Sequence, residues 1–257
     1  MGEQSDSGVL AHKFEQGSQV WEKDGKEMVH VPMGEFLYGE DKQKVNLPEF
    51  WIDKTPVTND EFARFVQATG YETTAEQTGI GFANIAGKWE NTKGADWRHP
   101  GGPKTDTQNI GEHPVVQVSW EDALAYAKWA EKRLPTEQEW EKAARGTDGR
   151  EYPWGNQEPT RELCNFDKQE GRTTPVGKYS LQGDSPYGCV DMSGNIWEWT
   201  ASGSEEEGGG KVLRGGGWSH PAENVRLILR SIHHPDDRYD TDGFRCVSDC
   251  EPRPSRK

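Results

Sequence analysis

Three times in this chain a hydroxyl residue is followed three positions later by an acid, and then by apolar residues at helical spacing: Thr58 with Glu61, Ser119 with Asp122, and Thr136 with Glu139. At a helix start the hydroxyl accepts the third backbone N–H while the acid reaches back to the first, and negative charge suits the positive helix end. The spacing predicts helices over about Asn59–Ala68, Trp120–Lys132 and Glu137–Arg145, with Gly70 and Gly146 as stops. Their inward faces are Phe62, Phe65 and Val66, then Ala123, Leu124, Ala127 and Trp129, then Trp140, Ala143 and Ala144. All three are short for a helical protein, and the alanine-rich faces call for close packing against something flat.

Between these helices the chain is irregular. "MVHVPMGEFLYG" alternates apolar and polar residues as a half-buried strand does, "KVNLPEFWID" reads as a second strand, and "KVLRGGGW" and "TDGFRCVSD" as later ones. Residues 70–111 show little periodicity, yet Trp89, Trp97 and His99 argue that they fold. Only 32% of residues are hydrophobic, but 11 Trp, 7 Tyr and 8 Phe can bury as much area as many aliphatics, and 30 Gly with 15 Pro call for much ordered loop. The fold class is α+β: small antiparallel sheets, three short helices, loop-rich. Residues 24–250 read as one domain, between a mobile segment at 1–23 and a frayed tail at 251–257. "GSEEEGGG" at 203–210 reads as a flexible loop.

The formal charge of −14 repels phosphate backbones and excludes nucleic acid as a partner. The acid excess would suit Ca²⁺ or cationic ligands, or serve simply as a solvated surface. No apolar stretch approaches a membrane span, so no membrane partner is expected. No signal peptide is visible, which makes a soluble, cytoplasmic protein the default. Cys164, Cys189, Cys246 and Cys250 form no zinc-ligand spacing. Cys189 and Cys246 could pair as a disulfide, and sequence leaves that open.

The stretch "RGGGWSHPAENVR", Arg214–Arg226, lets the backbone pass close to a neighbour and then sets His220 and Val225 five residues apart. Taken with "WIDKTPVTNDEFARFV", "ADWRHPGG", "HPVVQVSWEDALAYAKWAEKRLPTEQEWEKAARG", "YPWGN", "TTPVGKYS", "YGCVDMSGNIWEWT" and "GFRC" in that order, the chain closely resembles the formylglycine-generating enzyme, or sulfatase-modifying factor, family over about residues 28–249. The resemblance implies a variant of the C-type lectin fold. In the active enzymes it implies two cysteines after "RGG" that bind Cu(I), where O₂ is activated to oxidise a client cysteine. Here those places are His220 and Val225. Two thiolates suit Cu(I), a valine ligates nothing, and one imidazole leaves the metal underligated, so no copper is expected.

The resemblance also implies calcium. Asp191 and Glu198 would supply carboxylate oxygens, and Gly194 and Ile196 backbone carbonyls, a donor set that suits a hard ion. A second family site would involve Asn165–Phe166, where this chain is shorter. His233 and His234 read as solvated loop histidines. In "DWRHPGG", Arg98 and His99 would line a pocket, or Trp97 would anchor the loop with Arg98 paired to an acid. Arg214, Arg226, Arg230, Arg238 and Arg245 should pair with the acid excess.

The same ending occurs in variable proteins of diversity-generating retroelements, where the segment between "RGG" and "GFR" displays changeable residues. By that layout, Trp218, Arg226, Arg230, Pro235 and Arg238 are framework. Trp218, Ser219, His220, Glu223, Asn224, His233, His234, Asp237, Tyr239 and Thr241 form a ligand-binding face within 217–242, with Leu229, Ser231 and Ile232 as further display positions unless the two apolar ones are core. Two functions are thus expected: a non-catalytic module binding a protein or small-molecule ligand on a calcium-stabilised scaffold, or an oxidoreductase that oxidises a cysteine or other thiol with O₂ at an unidentified metal centre. Oligomeric state is left open.

Overall fold

A computed structural model describes residues 18–85, 87–204 and 209–252. The first sheet has the order β1 (Gln19–Val20), β2 (Glu27–Val31), β5 (Phe50–Asp53) and β12 (Val247–Ser248), all antiparallel, so the two ends of the domain meet in it. Between its strands, β3 (Gly34–Tyr38) and β4 (Gln43–Leu47) form a separate hairpin. The predicted strands "MVHVPMGEFLYG" and "KVNLPEFWID" are therefore each two strands. Pro32 and Pro48 mark the breaks, since a proline has no N–H to give a ladder.

The helices α1 (Asn59–Thr69), α3 (Trp120–Trp129) and α4 (Glu137–Arg145) all carry complete capping boxes at Thr58, Ser119 and Thr136. Helix α3 ends three residues before the predicted Lys132, and Glu131 adopts a positive φ of 58° there. A fourth helix, α2 (Thr74–Thr78), is opened by Thr73 and Glu76 with the same reciprocal bonds. It falls in the segment without periodicity, as does the hairpin β6 (Ile80–Ile85) and β7 (Lys88–Lys93).

The second sheet has the order β10 (Arg230–His233), β9 (Gly210–Arg214), β8 (Trp197–Ser204) and β11 (Asp242–Gly243), the last pair parallel. The predicted flexible loop at 203–210 is shortened at both ends, because Gly203 pairs with Lys211 and Ser204 with Gly210; residues 205–208 lie outside the described residues. Successive side chains of β8 face opposite sides. Trp197 and Trp199 enter one core cluster with Phe62, Phe65, Trp97, Tyr126 and Phe244. Glu198 points the other way, toward Trp140, which belongs to a second cluster with Val29, Phe50, Ile52, Met192 and Leu227.

Two boundary expectations change. The predicted mobile segment 1–23 reaches too far, because β1 pairs with β2 and the Trp21 indole donates to the Ala130 carbonyl at 2.8 Å; residues 1–17 lie outside the described residues. Of the predicted tail, 251–252 are described and 253–257 are not. Cys189 and Cys246 are free thiols in different core clusters, so the disulfide left open by sequence is not made. Burial pushes the Cys189 thiol up to about 11 and that of Cys246 well above its ordinary value, which leaves both unreactive.

Candidate functional site

The 217–242 segment follows β9, which ends at Arg214, supplies β10 as an edge strand of the second sheet, and reaches β11 at Asp242. Its glycines serve close approach: a Cβ on Gly216 (φ 81°) would meet the Asn224 carbonyl oxygen at 2.5 Å and Val225 Cγ1 at 2.8 Å. That contact tucks a 3-10 turn, Ala222–Val225, beneath the loop. Val225 is fully buried and packs with Tyr152 and Cys164. One of the two positions singled out by the sequence is therefore a core residue.

The other, His220, is half-buried in a cavity of about 210 Å³ lined by Trp89, Trp197, His220, His233, Tyr239 and Thr241. Its ring lies 5.7 Å from that of Trp197 and 6.5 Å from that of Trp89. Burial lowers the His220 pKa, against the opposing charge of Asp242, so the imidazole is neutral at pH 7. Trp89 and Tyr239 meet edge-on at 5.1 Å, and Tyr239 lies at the same distance from His233.

His233 is not the solvated loop residue the sequence suggested. It ends β10, with Nδ1 at 2.8 Å from Asp242 Oδ2 and Nε2 at 2.9 Å from Ser231 Oγ. Asp242 is fully buried, and its other oxygen accepts from the Thr241 hydroxyl at 3.0 Å. Burial works to lower the His233 pKa, but the charge and hydrogen bond of Asp242 outweigh it and the pKa is raised. His234 is exposed, 3.7 Å from Asp236, as expected.

The remaining display positions divide. Trp218 is buried, its indole N–H on the Asp240 carbonyl at 3.1 Å, and with Asp240 it lines a separate cavity of about 250 Å³ that also includes Asn59, Asn84 and Arg172. Asp240 accepts the Asn84 N–H at 3.0 Å through one oxygen, while its buried Oδ1 has no partner, and burial pushes its pKa up to about 7. Thr241 is buried as well. Glu223 and Asn224 sit on the 3-10 turn and line neither cavity. Asp237 accepts the His234 N–H, Ser219 is part-buried beside His220, and Leu229 packs against the first core cluster. Trp89 and Trp197, which sequence reasoning did not place here, complete the His220 cavity; they come from β7 and β8, and only the chain's packing brings them together.

The arginines behave largely as expected. Arg214 pairs with Glu137 and Glu141, Arg226 with Glu151, Arg230 with Glu137 and Arg245 with Glu198. Arg238 differs, donating to the Ile80 carbonyl and the Thr78 hydroxyl. Arg98 lies 4.2 Å over the Trp97 ring and pairs with Glu76. Both also line a cavity of about 270 Å³ with His99.

The calcium donors fit a hard cation only in part. Asp191 and Asn195 have positive φ (56° and 68°) on either side of Gly194, whose own backbone packs against the Asn165 carbonyl too closely for a side chain. The Asp191 carboxyl accepts the Gly177 N–H at 2.9 Å, and burial pushes its pKa up to about 6, an environment that a cation would relieve. The Gly194 carbonyl already accepts the Ile196 N–H at 2.9 Å but keeps a second lone pair. Glu198 is the donor with the most competing partners. Its carboxylate accepts two bonds from Arg245 at 2.7 and 2.8 Å and a third from the Trp140 indole at 2.9 Å, so a guanidinium already balances its charge. Among the described residues no group of three or more His, Cys, Asp and Glu could hold a metal ion. No helix among them is long and apolar enough to cross a membrane.

Comparison with known proteins adds the following. Residues 13–250 match the sulfatase-modifying factor enzyme 1-like domain family. The chain is 38% identical to the mouse protein named inactive C-alpha-formylglycine-generating enzyme 2, over 86% of this chain and 85% of that one. It is 35% identical to the formylglycine-generating enzyme of Streptomyces coelicolor, over 92% and 94%. Among solved structures, Treponema denticola variable protein 1 superposes with a TM-score of 0.64 at 20% identity, covering 90% of this chain and 98% of that one. The small antiparallel sheets with few helices are those of the C-type-lectin-like fold.

Proposed function

The chain belongs to the sulfatase-modifying factor family, and from that premise we propose that it is a ligand-binding module of the family rather than a copper-dependent cysteine oxidase. One observation carries the reading. Where a soft metal would need its second thiolate, Val225 is fully buried between Tyr152 and Cys164, and an isopropyl group donates nothing. His220, five residues earlier, is a neutral imidazole set among aromatic rings. The family contains relatives named as active and as inactive at similar identity, so membership alone does not decide between them.

The binding face is the His220 cavity with its rim. Rigid rings from Trp89, Trp197 and Tyr239 offer apolar area at low entropic cost, and His220, His233 and Thr241 supply hydrogen-bonding edges. A protein side chain or a small molecule with an apolar body and a polar edge suits that lining. Calcium belongs to the scaffold. Asp191 with the carbonyls of Gly194 and Ile196 would hold it, while Glu198 serves chiefly as the counter-ion of Arg245. The bound ion would neutralise a buried carboxylate and stiffen the turn beneath the face.

The test is metal content together with thermal unfolding. After Cu(I) loading and desalting, copper well below one equivalent supports a binding module. Stoichiometric copper, or conversion of a sulfatase peptide to its aldehyde, defeats the reading. Calcium should raise the Tm of the metal-free protein, since an ion bound to the native state alone adds stability.

A further inference from the structure

We propose that Ser231, His233 and Asp242 form a nucleophilic relay beside the His220 cavity that gives this protein an acyl-transfer activity toward small carboxylic esters. The basis is the chain of contacts Ser231 Oγ to His233 Nε2 at 2.9 Å and His233 Nδ1 to Asp242 Oδ2 at 2.8 Å. Nucleophile and base stand within hydrogen-bond reach, and the base is oriented by a third group, which is the arrangement that activates a serine.

Each part follows from the sheet. Ser231 and His233 are two residues apart on β10, so both side chains leave the same face. Asp242, on β11, lies fully buried, and the Thr241 hydroxyl holds its second oxygen. Asp242 Oδ2 accepts from Nδ1–H and so fixes the proton there. Nε2 is then the acceptor, and the Ser231 hydroxyl donates to it. The His233 side chain keeps 23% of its surface exposed and Ser231 is itself only partly buried, so an ester can approach the pair from solvent.

The step balances without a co-reactant other than water. Ser231 Oγ attacks the ester carbonyl carbon as its proton passes to His233 Nε2, and Asp242 stabilises the imidazolium. The ester C–O bond breaks, and the alcohol leaves with that proton. Water then attacks the acyl-serine, giving up a proton through His233, and the carboxylic acid departs with Ser231 restored. Asp242 is a positioning residue here; Ser231 and His233 are the catalytic ones.

The inference goes beyond the binding reading and fails separately from it, because copper content and calcium response do not depend on Ser231. The experiment treats the native protein with a fluorophosphonate probe and with 4-nitrophenyl acetate, and maps the adduct by mass spectrometry. Expected are one adduct per chain at Ser231, none in Ser231→Ala, and labelling slowed at least ~100-fold in His233→Asn at a temperature where that variant is still folded. Asp242→Asn should shift the pH profile of labelling; if that variant does not fold, the first two variants decide. Labelling of Ser231 no faster than in the heat-denatured protein, or equally fast in His233→Asn, overturns the proposal.

Discussion

Glu198 and Asp240 are carboxylates on either side of the same sheet's start and return, and they are met in opposite ways. Glu198 accepts three hydrogen bonds and a full counter-charge from Arg245 and Trp140. Asp240, on the ligand-facing segment, has one backbone partner and one buried oxygen with none. Glu198 is matched by charge and hydrogen bonds, whereas Asp240 leaves an acceptor open beside the cavity that it lines with Trp218. The difference teaches that burial alone does not fix a carboxylate's role: Glu198 with its partners complete holds the framework, while Asp240 keeps an acceptor free beside a cavity.

The strongest way to break that contrast is Arg245→Met. It leaves Glu198 buried and unpaired and should cost about 4 kcal/mol in chemical denaturation, the range seen when one partner of a buried pair is removed. A loss under 1 kcal/mol would show that Glu198 has another counter-ion, and the calcium assignment would return to it.

Asp240→Asn should act in the opposite direction. The folded-state pKa of Asp240, about 7, stands above the ordinary carboxylate value of 3.8, so the fold favours its protonated form. Its contribution is intact at low pH and is lost as pH rises from about 4 through 7. The asparagine variant should flatten that slope and be more stable than wild type at pH 8, by about 3 kcal/mol after allowance for residual solvent contact. An unchanged slope in pH-dependent unfolding would place a partner on Oδ1.

Calcium sharpens the comparison at the turn between the two regions. At a hundredfold excess over its Kd it should add about 2.7 kcal/mol to the metal-free protein. Asp191→Asn should abolish that gain, while Glu198→Gln, though destabilised, should retain most of it. Calorimetry of the three proteins with and without the ion separates the roles. The smallest effect on stability belongs to Trp89→Ala. With 39% of its surface exposed, Trp89 should cost under about 1 kcal/mol, yet the variant should lose ligand affinity at the His220 cavity.

Much of this was legible in the sequence where local chemistry is sufficient. Thr58, Ser119 and Thr136 announced their helices because a capping box closes within four residues. The same signal stands at Thr73 and Glu76, but α2 is too short to show apolar periodicity beside it. Pro32 and Pro48 interrupted what read as single strands. His233 was mistaken for a loop residue because its partner, Asp242, lies nine positions on and reaches it only across the sheet.

By itself the sequence determined the family, the short capped helices, and the missing thiolate at Val225, for each depends on residue identity at short range. Tertiary structure alone decided that Val225 is core, that Glu198 belongs to Arg245, and that Trp89 closes the His220 cavity. Those facts rest on contacts between distant segments, where burial removes water and each polar group must find whichever partner the fold has brought within reach.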